Sequence, residues 1–370
     1  MFLSRTLSSV PDGQWYLHSP RLPRVTVVGD EFRRLGVRFK SWGMQPQHID
    51  FEQRFFSGSD NGKEDMVTFI AGIAAMGVNT VRFHTNLWDF IEGPDKDTLT
   101  MKSLSLEYLV FTVEAARQHG LYVILQGSNT WQQELTDPWY DDLGYADRWD
   151  VQEFFWSEIA AAIFASGNSS TMLGYDLINE PYISTDPDAD WYGSGFGGYY
   201  FTHLIARGPE VDSDTMRDWI TQLGDAIRVE DPEALITLGA LPFYAAYEPV
   251  NDLLDFLCPH LYPVISAFGI TTAEAMDDLM EWVPATQPLV ITETLFYAET
   301  VDDEPFLQAM IDNFDGIVTA GCYGYPPEEY TVPPDPPKPP APANSDPMFY
   351  AIFGSSLATF NSYRDEFLGV

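Results

Sequence analysis

The chain has 370 residues, 45% of them hydrophobic, and its 55 Asp and Glu residues outnumber its 19 Lys and Arg residues to give a formal net charge of −36. Such a surface repels nucleic acids and anionic lipids, which excludes both as main partners, whereas a neutral substrate is compatible with it. The sequence has no apolar run of about 18 residues, so we expect no membrane-spanning helix.

The acidic excess has two interpretations. One is adaptation to high salt, because counter-ions screen the repulsion among carboxylates and only five of the basic residues are lysines. The other is an acidic enzyme of ordinary habitat. The cellular location is also open, because the N-terminal stretch lacks the apolar core of about 7–15 residues that marks a secretory signal. The protein is expected to be secreted if a leader precedes this sequence, and cytoplasmic otherwise.

Short apolar segments alternate with helical patterns about eight times along the chain. Most strand candidates are apolar on both faces, as expected for parallel strands covered by helices. They are residues 35–40, 79–84, 121–126, 173–179, 234–239, 255–260, 288–293 and 316–323. Apolar residues recur at helical spacing between them, for example in 106–119 and 213–229. This alternation predicts an α/β fold, a single (β/α)8 TIM barrel domain spanning residues 1–370, with a doubly wound open sheet as the alternative.

Three segments lie outside the alternation. Residues 1–30 precede the first strand candidate, and we expect them to form a hairpin against the N-terminal end of the barrel. Residues 182–211 are rich in aromatic side chains, and residues 325–347 are rich in proline. Both segments follow strands, so we predict long loops on the face where barrel enzymes carry out their chemistry.

Two glutamates end predicted strands. The segment GYDLINEPY runs an apolar strand into Asn179, Glu180 and Pro181, and proline terminates a strand because it has no N–H to donate. Glu293 ends the segment PLVITE three strands later, so the two carboxyl groups can converge across the barrel mouth. Hydrolysis of a glycosidic bond needs one protonated and one ionised carboxyl group, and like charges placed close together raise one pKa. A single Glu at a strand end is more often an ordinary surface residue, but the pair favours catalysis.

Three motifs together resemble glycoside hydrolase family 5, within the clan of retaining barrel glycosidases. They are INEP at the fourth strand, HLYP at the sixth and ITE at the seventh, and the resemblance extends from about Leu35 onward. It implies hydrolysis of a β-glucan or β-mannan, or of their oligosaccharides, by double displacement. In that mechanism Glu180 would be the acid/base and Glu293 the nucleophile.

The resemblance also implies a set of substrate-binding residues. Asn179 would hold the sugar 2-hydroxyl, and His260 and Tyr262 would belong to the surrounding hydrogen-bond network, with Tyr262 near the nucleophile. Arg82, late in the second strand, would hold Glu293 ionised through a charge-assisted hydrogen bond.

The chain departs from the family pattern at two strands. Family members often carry a histidine near the end of the third strand, where this chain reads LQGSNTW, so Gln126, Asn129 or the neighbouring His84 is expected to serve instead. Many members place a tryptophan at the eighth strand, where this chain offers Tyr323 and Tyr325.

Aromatic residues after the third strand are candidates for stacking on sugar rings, because sugars have apolar C–H faces. They are Trp131, Trp139 and Tyr140, with local packing as the alternative for each; Trp156 and Trp219 lie in helical stripes and are assigned to packing. The six histidines show no metal-ligand spacing, so neither a metal nor another cofactor is expected.

The sequence thus predicts a carbohydrate-cleaving barrel whose partner is its sugar substrate. The remaining alternatives are an exo-acting β-glucosidase or β-mannosidase and a non-catalytic carbohydrate-binding barrel. The oligomeric state is not predicted.

Overall fold

The computed structural model describes eight stretches of the chain, and all contacts given below are contacts of these residues. The stretches are residues 20–46, 63–127, 138–181, 213–240, 250–261, 287–294, 311–323 and 357–369. No helix within them is long and apolar enough to cross a membrane.

Strands alternate with helices along the described residues. The strands are β1 (Val25–Val28), β2 (Glu31–Arg34), β3 (Val37–Phe39), β4 (Ser41–Pro46), β5 (Thr80–His84), β6 (Ile91–Glu92), β7 (Thr100–Met101), β8 (Tyr122–Gln126), β9 (Met172–Asn179), β10 (Ile236–Ala240), β11 (Cys258–Pro259), β12 (Val290–Ile291) and β13 (Gly316–Tyr323). The α-helices are α1 (Lys63–Ala75), α2 (Leu87–Phe90), α3 (Ser103–Gln118), α4 (Pro138–Asp141), α5 (Tyr145–Ala165), α6 (Ser213–Glu230) and α7 (Leu357–Leu368).

Eight of the strands form one parallel sheet in the order β11-β10-β9-β8-β5-β4-β13-β12. The two ends of this order meet, because parallel bridges join Leu257 to Leu289 and His260 to Glu293. The sheet therefore closes on itself. The predicted (β/α)8 barrel is confirmed, and the open doubly wound sheet is wrong.

Helices cover the outside of the barrel with apolar stripes. The buried side chains of α6 recur every three or four residues, which is the period of a helix with one face against a core. They are Met216, Trp219, Ile220, Leu223 and Ile227. Trp219 and Trp156 are both buried, as their helical positions predicted, and the Trp219 indole N–H donates to Gln152 Oε1 at 3.0 Å.

The first barrel strand is β4, and the prediction of residues 35–40 for that strand is wrong. Leu35 and Gly36 have φ angles of 53° and 79°, a left-handed pair that reverses the chain, so β3 returns antiparallel to β2. The true strand has small or polar residues at alternate positions, which hid it. One of them, Gly43, is required by space, since a Cβ there would meet Val318 Cγ2 at 2.8 Å.

The strands β1, β2 and β3 form a separate antiparallel sheet at the amino end of the barrel. Its side chains Val25, Phe32 and Phe39 are buried against residues at the starts of the barrel strands. Those residues are Tyr122, Ile124, Leu173, Phe256, Cys258, Val290 and Val318. The sheet spans residues 25–39, so it begins and ends later than the hairpin expected in residues 1–30, of which residues 1–19 lie outside the described part of the chain.

Candidate active site

Two barrel strands supply most of the charged side chains at the carboxyl end of the barrel. Arg82 and His84 are two residues apart on β5, so both point to the same face of that strand. Asp176 and Asn179 lie on β9, and Glu180 follows directly. Each of these side chains except Glu180 is buried.

An irregularity in β9 brings both of its polar residues to Arg82. Thr237 pairs with Asp176 and Gly239 pairs with Asn179, so three residues of β10 (237–239) are matched by four residues of β9 (176–179). In a regular strand Asp176 and Asn179 would face opposite sides. Here Arg82 Nη2 donates to Asp176 Oδ2 at 2.7 Å and to Asn179 Oδ1 at 3.2 Å.

Arg82 is the centre of the site and is 0% exposed. Its Nη1 donates to Glu293 Oε1 at 2.6 Å and to Gln45 Oε1 at 2.5 Å, and its Nε donates to Asp176 Oδ2 at 3.1 Å. Burial alone disfavours the charged form, but the negative charges of Asp176 and Glu293 outweigh it and raise the pKa of Arg82. The guanidinium is thus a fixed positive charge held between two carboxylates.

Glu180 has an unusual backbone conformation. Its φ is 52°, in the left-handed region that a residue with a side chain rarely adopts, at a cost of about 1–3 kcal/mol. The Glu180 N–H still donates to the Gly239 carbonyl at 2.7 Å, which continues the pairing of β9 with β10. The chain then leaves the sheet at Pro181. The Glu180 carboxylate lies beside His260, with its Oε1 2.8 Å from Nδ1.

His260 lies between the two glutamates. Its Nδ1 is 2.8 Å from Glu180 Oε1 and 3.4 Å from Glu293 Oε2, and its Nε2 is 3.4 Å from Arg82 Nη2. The tautomer that suits these contacts has its hydrogen on Nδ1, donating to the carboxylates, and a lone pair on Nε2 facing the Arg82 donor. The His260 ring therefore bridges the two carboxyl groups.

Gly239 makes room for this network. A Cβ at this position would lie 2.7 Å from His260 Nε2, 2.8 Å from Asp176 Oδ2 and 2.9 Å from Arg82 Nη2. Its backbone N–H donates to Asp176 Oδ1 at 2.7 Å. Any side chain here would displace at least one charged group.

The carboxyl groups of Glu180 and Glu293 are close together. Ligand atoms of Glu180, His260 and Glu293 all lie within 4.8 Å of one another, so this trio has the spacing of a cation site. However, the Arg82 guanidinium already contacts Glu293 and faces His260, and its positive charge opposes a second cation there. The position of Arg82 therefore disfavours a metal ion at this trio.

The remaining predicted site residues fall into two groups. His84 is buried with its Nε2 3.8 Å from Glu293 Oε1, and Gln126 is buried at the end of β8, where its amide donates to the Gly127 carbonyl. Tyr262, Trp131, Asn129 and Tyr325, together with the loops 182–211 and 325–347, lie outside the described residues, as does the side chain of Tyr323.

The described aromatic residues after β8 pack against each other. Trp139 and Tyr140 lie edge-on to Trp88, with ring centroids 6.0 and 5.2 Å away. Tyr140 is 0% exposed and its hydroxyl accepts a hydrogen bond from Gln152 Nε2 at 3.0 Å. Tyr140 is therefore a packing residue, which is the alternative given above to stacking on a sugar.

Sequence reasoning missed Asp176, Gln45 and Gly239. Asp176 had a signal, because a charged residue in a strand that is otherwise apolar on both faces needs a buried partner. Gln45 was missed because β4 was placed too early in the chain. Gly239 had no signal of its own, since a glycine near a strand end has many ordinary explanations.

The family of the chain follows from comparison with known proteins. Residues 45–294, more than half of the chain, match the family model described as Cellulase (glycosyl hydrolase family 5). The chain belongs to this family. It is therefore a member of a family of glycosyl hydrolases, and the site at the barrel mouth is where its members' chemistry is expected.

Individual relatives are distant. The protein "Putative mannan endo-1,4-beta-mannosidase 9" from Oryza sativa subsp. japonica is 21% identical over 230 residues, which are 50% of this chain and 50% of that protein. The chain thus matches about half the length of this curated relative. The structure of β-mannanase from the blue mussel Mytilus edulis aligns with a TM-score of 0.61 at 17% identity, covering 81% of this chain and 91% of that one. The exo-β-1,4-mannosidase Op5Man5 from Opitutaceae bacterium strain TAV5 aligns with a TM-score of 0.60 at 17% identity, covering 80% and 54%. These likenesses support the fold.

Proposed function

We propose that the protein is a retaining glycoside hydrolase that cleaves β-linked mannan or glucan chains, with Glu180 as acid/base and Glu293 as nucleophile. The observation that carries the proposal is that one carboxylate oxygen of Glu180 lies within 4.8 Å of one carboxylate oxygen of Glu293 at the barrel mouth. Retaining enzymes hold their carboxyl groups about 5–5.5 Å apart, whereas inverting enzymes need about 6.5–9.5 Å to admit a water molecule. The short separation supports the retaining mechanism.

The environments of the two glutamates support different roles. Glu293 receives a charge-assisted hydrogen bond from Arg82, which favours the ionised form that a nucleophile needs. Arg82 holds Oε1, and we assign Oε2 as the attacking oxygen. Glu180 has a different neighbour, since its Oε1 lies 2.8 Å from Nδ1 of His260.

In the first step Glu293 Oε2 bonds to the anomeric carbon while the glycosidic C–O bond breaks. The bonding electrons go to the leaving oxygen, which takes the proton of Glu180. In the second step Glu180 removes a proton from water, and the water oxygen attacks the anomeric carbon and releases Glu293. Asn179, held by Arg82, is placed to bind the sugar 2-hydroxyl.

The substrate is proposed from the relatives. Both the rice protein and the mussel structure are named for β-mannan, which makes mannan the first substrate to test, and the family description makes β-glucan the second. Internal cleavage and terminal cleavage are both represented among the related structures, since one is an exo-mannosidase. Products from mannohexaose separate the modes, because an exo enzyme releases mannose alone while an endo enzyme releases mixed oligomers.

Chemical rescue tests the two roles. With 2,4-dinitrophenyl β-mannoside, whose leaving group needs no acid, Glu180→Ala should complete the first step and stall at the second. Added azide should restore turnover and yield the β-mannosyl azide. In Glu293→Ala the azide should attack from the opposite face and yield the α-mannosyl azide. Glu114→Gln is the matched control, since Glu114 is equally buried but pairs with Arg117 on α3.

Three results would contradict the proposal. An inverted product from the wild type would exclude double displacement. Near wild-type rates in both glutamate variants would remove their roles. Sugar binding without release of reducing ends from mannan, glucan or aryl glycosides would favour the non-catalytic carbohydrate-binding alternative.

A further inference from the structure

The buried charge at the barrel mouth includes one carboxylate that the double-displacement mechanism does not use. Asp176 is 0% exposed, and both of its oxygens are engaged. Oδ2 accepts from Nε and Nη2 of Arg82 at 3.1 and 2.7 Å, and Oδ1 accepts from the backbone N–H of Gly239 at 2.7 Å. A bidentate pair of this kind fixes the orientation of a guanidinium plane as well as its charge.

The geometry divides Arg82 into two edges. The edge made by Nε and Nη2 faces Asp176, and the Nη1 end faces Glu293 and Gln45. Because Asp176 is anchored by β10 as well as β9, it fixes the first edge and thereby aims Nη1 at Glu293 Oε1. Gly239 enforces this arrangement, since a side chain there would collide with Asp176 Oδ2 and Arg82 Nη2.

A count of charges shows what Asp176 adds to the reaction, on the basis of the proposed function. Before reaction the group of Arg82, Asp176 and ionised Glu293 carries a net charge of −1. When Glu293 becomes an ester, its charge is lost and the negative charge moves to Glu180, which His260 contacts. The remaining pair of Arg82 and Asp176 is neutral. Without Asp176, the same step would leave Arg82 as a buried cation beside an uncharged ester, which is strongly unfavourable.

We propose that Asp176 is a positioning residue that acts as the permanent counter-ion of Arg82, holding it for Glu293 and compensating its charge while Glu293 is esterified. It touches neither substrate nor the reacting atoms. A carboxylate that merely braced β9 against β10 would make the same hydrogen bonds but would not couple to the charge state of Glu293.

The coupling can be measured without any activity. Glu293→Gln mimics the loss of charge in the ester, and Asp176→Asn removes the counter-ion at constant size. We expect Glu293→Gln alone to melt at or above the wild-type temperature, because Arg82 stays paired. The double variant should melt well below the temperature obtained by adding the two single shifts, because Arg82 then loses both carboxylates that it contacts among the described residues. Asp231→Asn is the matched control: Asp231 is also buried and bidentate to an arginine, Arg24, and its effect should simply add to that of Glu293→Gln.

Activity gives a second readout on whichever polysaccharide the wild type cleaves. Among the described residues, the charged or titratable groups facing Glu293 include Arg82, His84, Glu180 and His260, and these are the same in wild type and variant. Removing the negative charge of Asp176 should keep Glu293 ionised to lower pH, so the acidic limb of kcat/KM should move down by about one pH unit. The plateau should fall about 10–100-fold, because the ester is destabilised. Asp231→Asn should leave the limb unmoved.

The outcomes separate this inference from the proposed function. Absence of hydrolysis by the wild type would overturn the proposed function, while the melting cycle would still report on Asp176. The inference would be overturned if the melting shifts of Asp176→Asn and Glu293→Gln simply added and the acidic limb of kcat/KM did not move. Asp176 would then have a structural role only. If Asp176→Asn did not fold, the melting temperature of Glu293→Gln alone would test the inference. A large loss of stability in Glu293→Gln would show that Asp176 does not compensate the charge of Arg82.

Discussion

The two ends of the barrel are built on opposite principles. At the amino end the interior is apolar, formed by Val25, Phe32 and Phe39 against the starts of the barrel strands, and the charged pairs beside it each keep a partly exposed arginine. Arg38, for example, pairs with Asp315 at 2.9 Å while its side chain remains 49% exposed. At the carboxyl end the interior itself is charged, with Arg82 and Asp176 both 0% exposed.

The difference shows which end stabilises the protein and which end is specialised for chemistry. Burying apolar area is favourable at any site where it packs well. Burying ions is costly, and replacing a buried ion pair by apolar residues is often neutral or stabilising. The charged end is therefore retained for a reason other than stability, which agrees with the proposed glycosidase site.

The largest effect on stability is expected at the amino end. Phe32 is fully buried with its ring centroid 5.2 Å from that of Phe256, so Phe32→Ala should lower the free energy of unfolding by about 3–5 kcal/mol. Urea unfolding followed by tryptophan fluorescence measures this. The kinetic constants should stay unchanged wherever the protein is folded, because the site lies at the other end.

The control for this prediction is Val37→Ala on β3, since Val37 is 69% exposed and its loss should change stability by less than about 0.5 kcal/mol. Equal effects of the two substitutions would contradict the comparison, and would mean that the small sheet unfolds separately from the barrel.

Two strand glycines allow the same substitution, Gly→Ala, to be compared at the two ends of the barrel. A Cβ on Gly174 would meet the ring of Phe256 at 2.6 Å, whereas a Cβ on Gly239 would meet polar side-chain atoms of His260, Asp176 and Arg82 at 2.7–2.9 Å. Gly174→Ala should lower stability by about 1–3 kcal/mol through overpacking and leave kcat/KM intact. Gly239→Ala should reduce kcat/KM about 100-fold, because it misplaces groups around Glu293.

Thermal melts and initial rates on both variants check this prediction. A loss of kcat/KM in Gly174→Ala as large as that in Gly239→Ala would show that the two ends are not independent.

The sequence predicted the barrel more completely than it predicted the site. Parallel strands such as β9 are mostly apolar on both faces and therefore stand out along the chain. Glu180 and Glu293 each follow such a strand, and all strands of a parallel barrel end at the same, carboxyl end. The strand β4 was not recognised, because Ser41, Gly43 and Gln45 interrupt its apolar residues. The segment 35–40 was chosen instead, although its Val37 is exposed.

The network around Arg82 could not be predicted, because it depends on details that have no sequence signature. The irregularity in β9 decides that Asp176 and Asn179 both reach Arg82, and a period-two pattern places them on opposite faces. The left-handed φ of Glu180 is equally hidden, since it occurs at a residue other than glycine.

A smaller, pH-dependent effect is expected from Asp89 on α2, beyond the carboxyl end of β5. Burial raises the pKa of Asp89 from 3.8 to about 6, partly opposed by Lys102. The folded state then binds this proton more tightly than the unfolded state, so unfolding free energy should fall as pH rises from about 4 to 6. Asp89→Asn should abolish this fall and stabilise the protein at pH 7 by about 1–2 kcal/mol, after allowance for partial exposure.

Urea unfolding at pH 4.5 and pH 7 measures the effect of Asp89, with the exposed Asp142→Asn as control. An unchanged pH slope in Asp89→Asn would refute it.

The smallest effect is expected from salt, and it acts on the surface rather than on either end. The net charge of −36 makes carboxylates repel one another across the folded surface, and sodium chloride screens that repulsion. Salt also weakens exposed ion pairs such as Arg217 with Asp252, but each such pair contributes only about 0–1 kcal/mol. Because acidic residues outnumber basic ones by 55 to 19, repulsion outweighs pairing, and the melting temperature should rise by a few degrees between low and molar sodium chloride. Sulfate at matched ionic strength isolates the salting-out of apolar surface, which strengthens burial whatever the charge.

A flat or falling melting temperature in chloride would remove the high-salt interpretation and leave an acidic enzyme of ordinary habitat. Because the charged network around Arg82 is buried and poorly screened, the acidic limb of the pH profile should not move over the same range of salt.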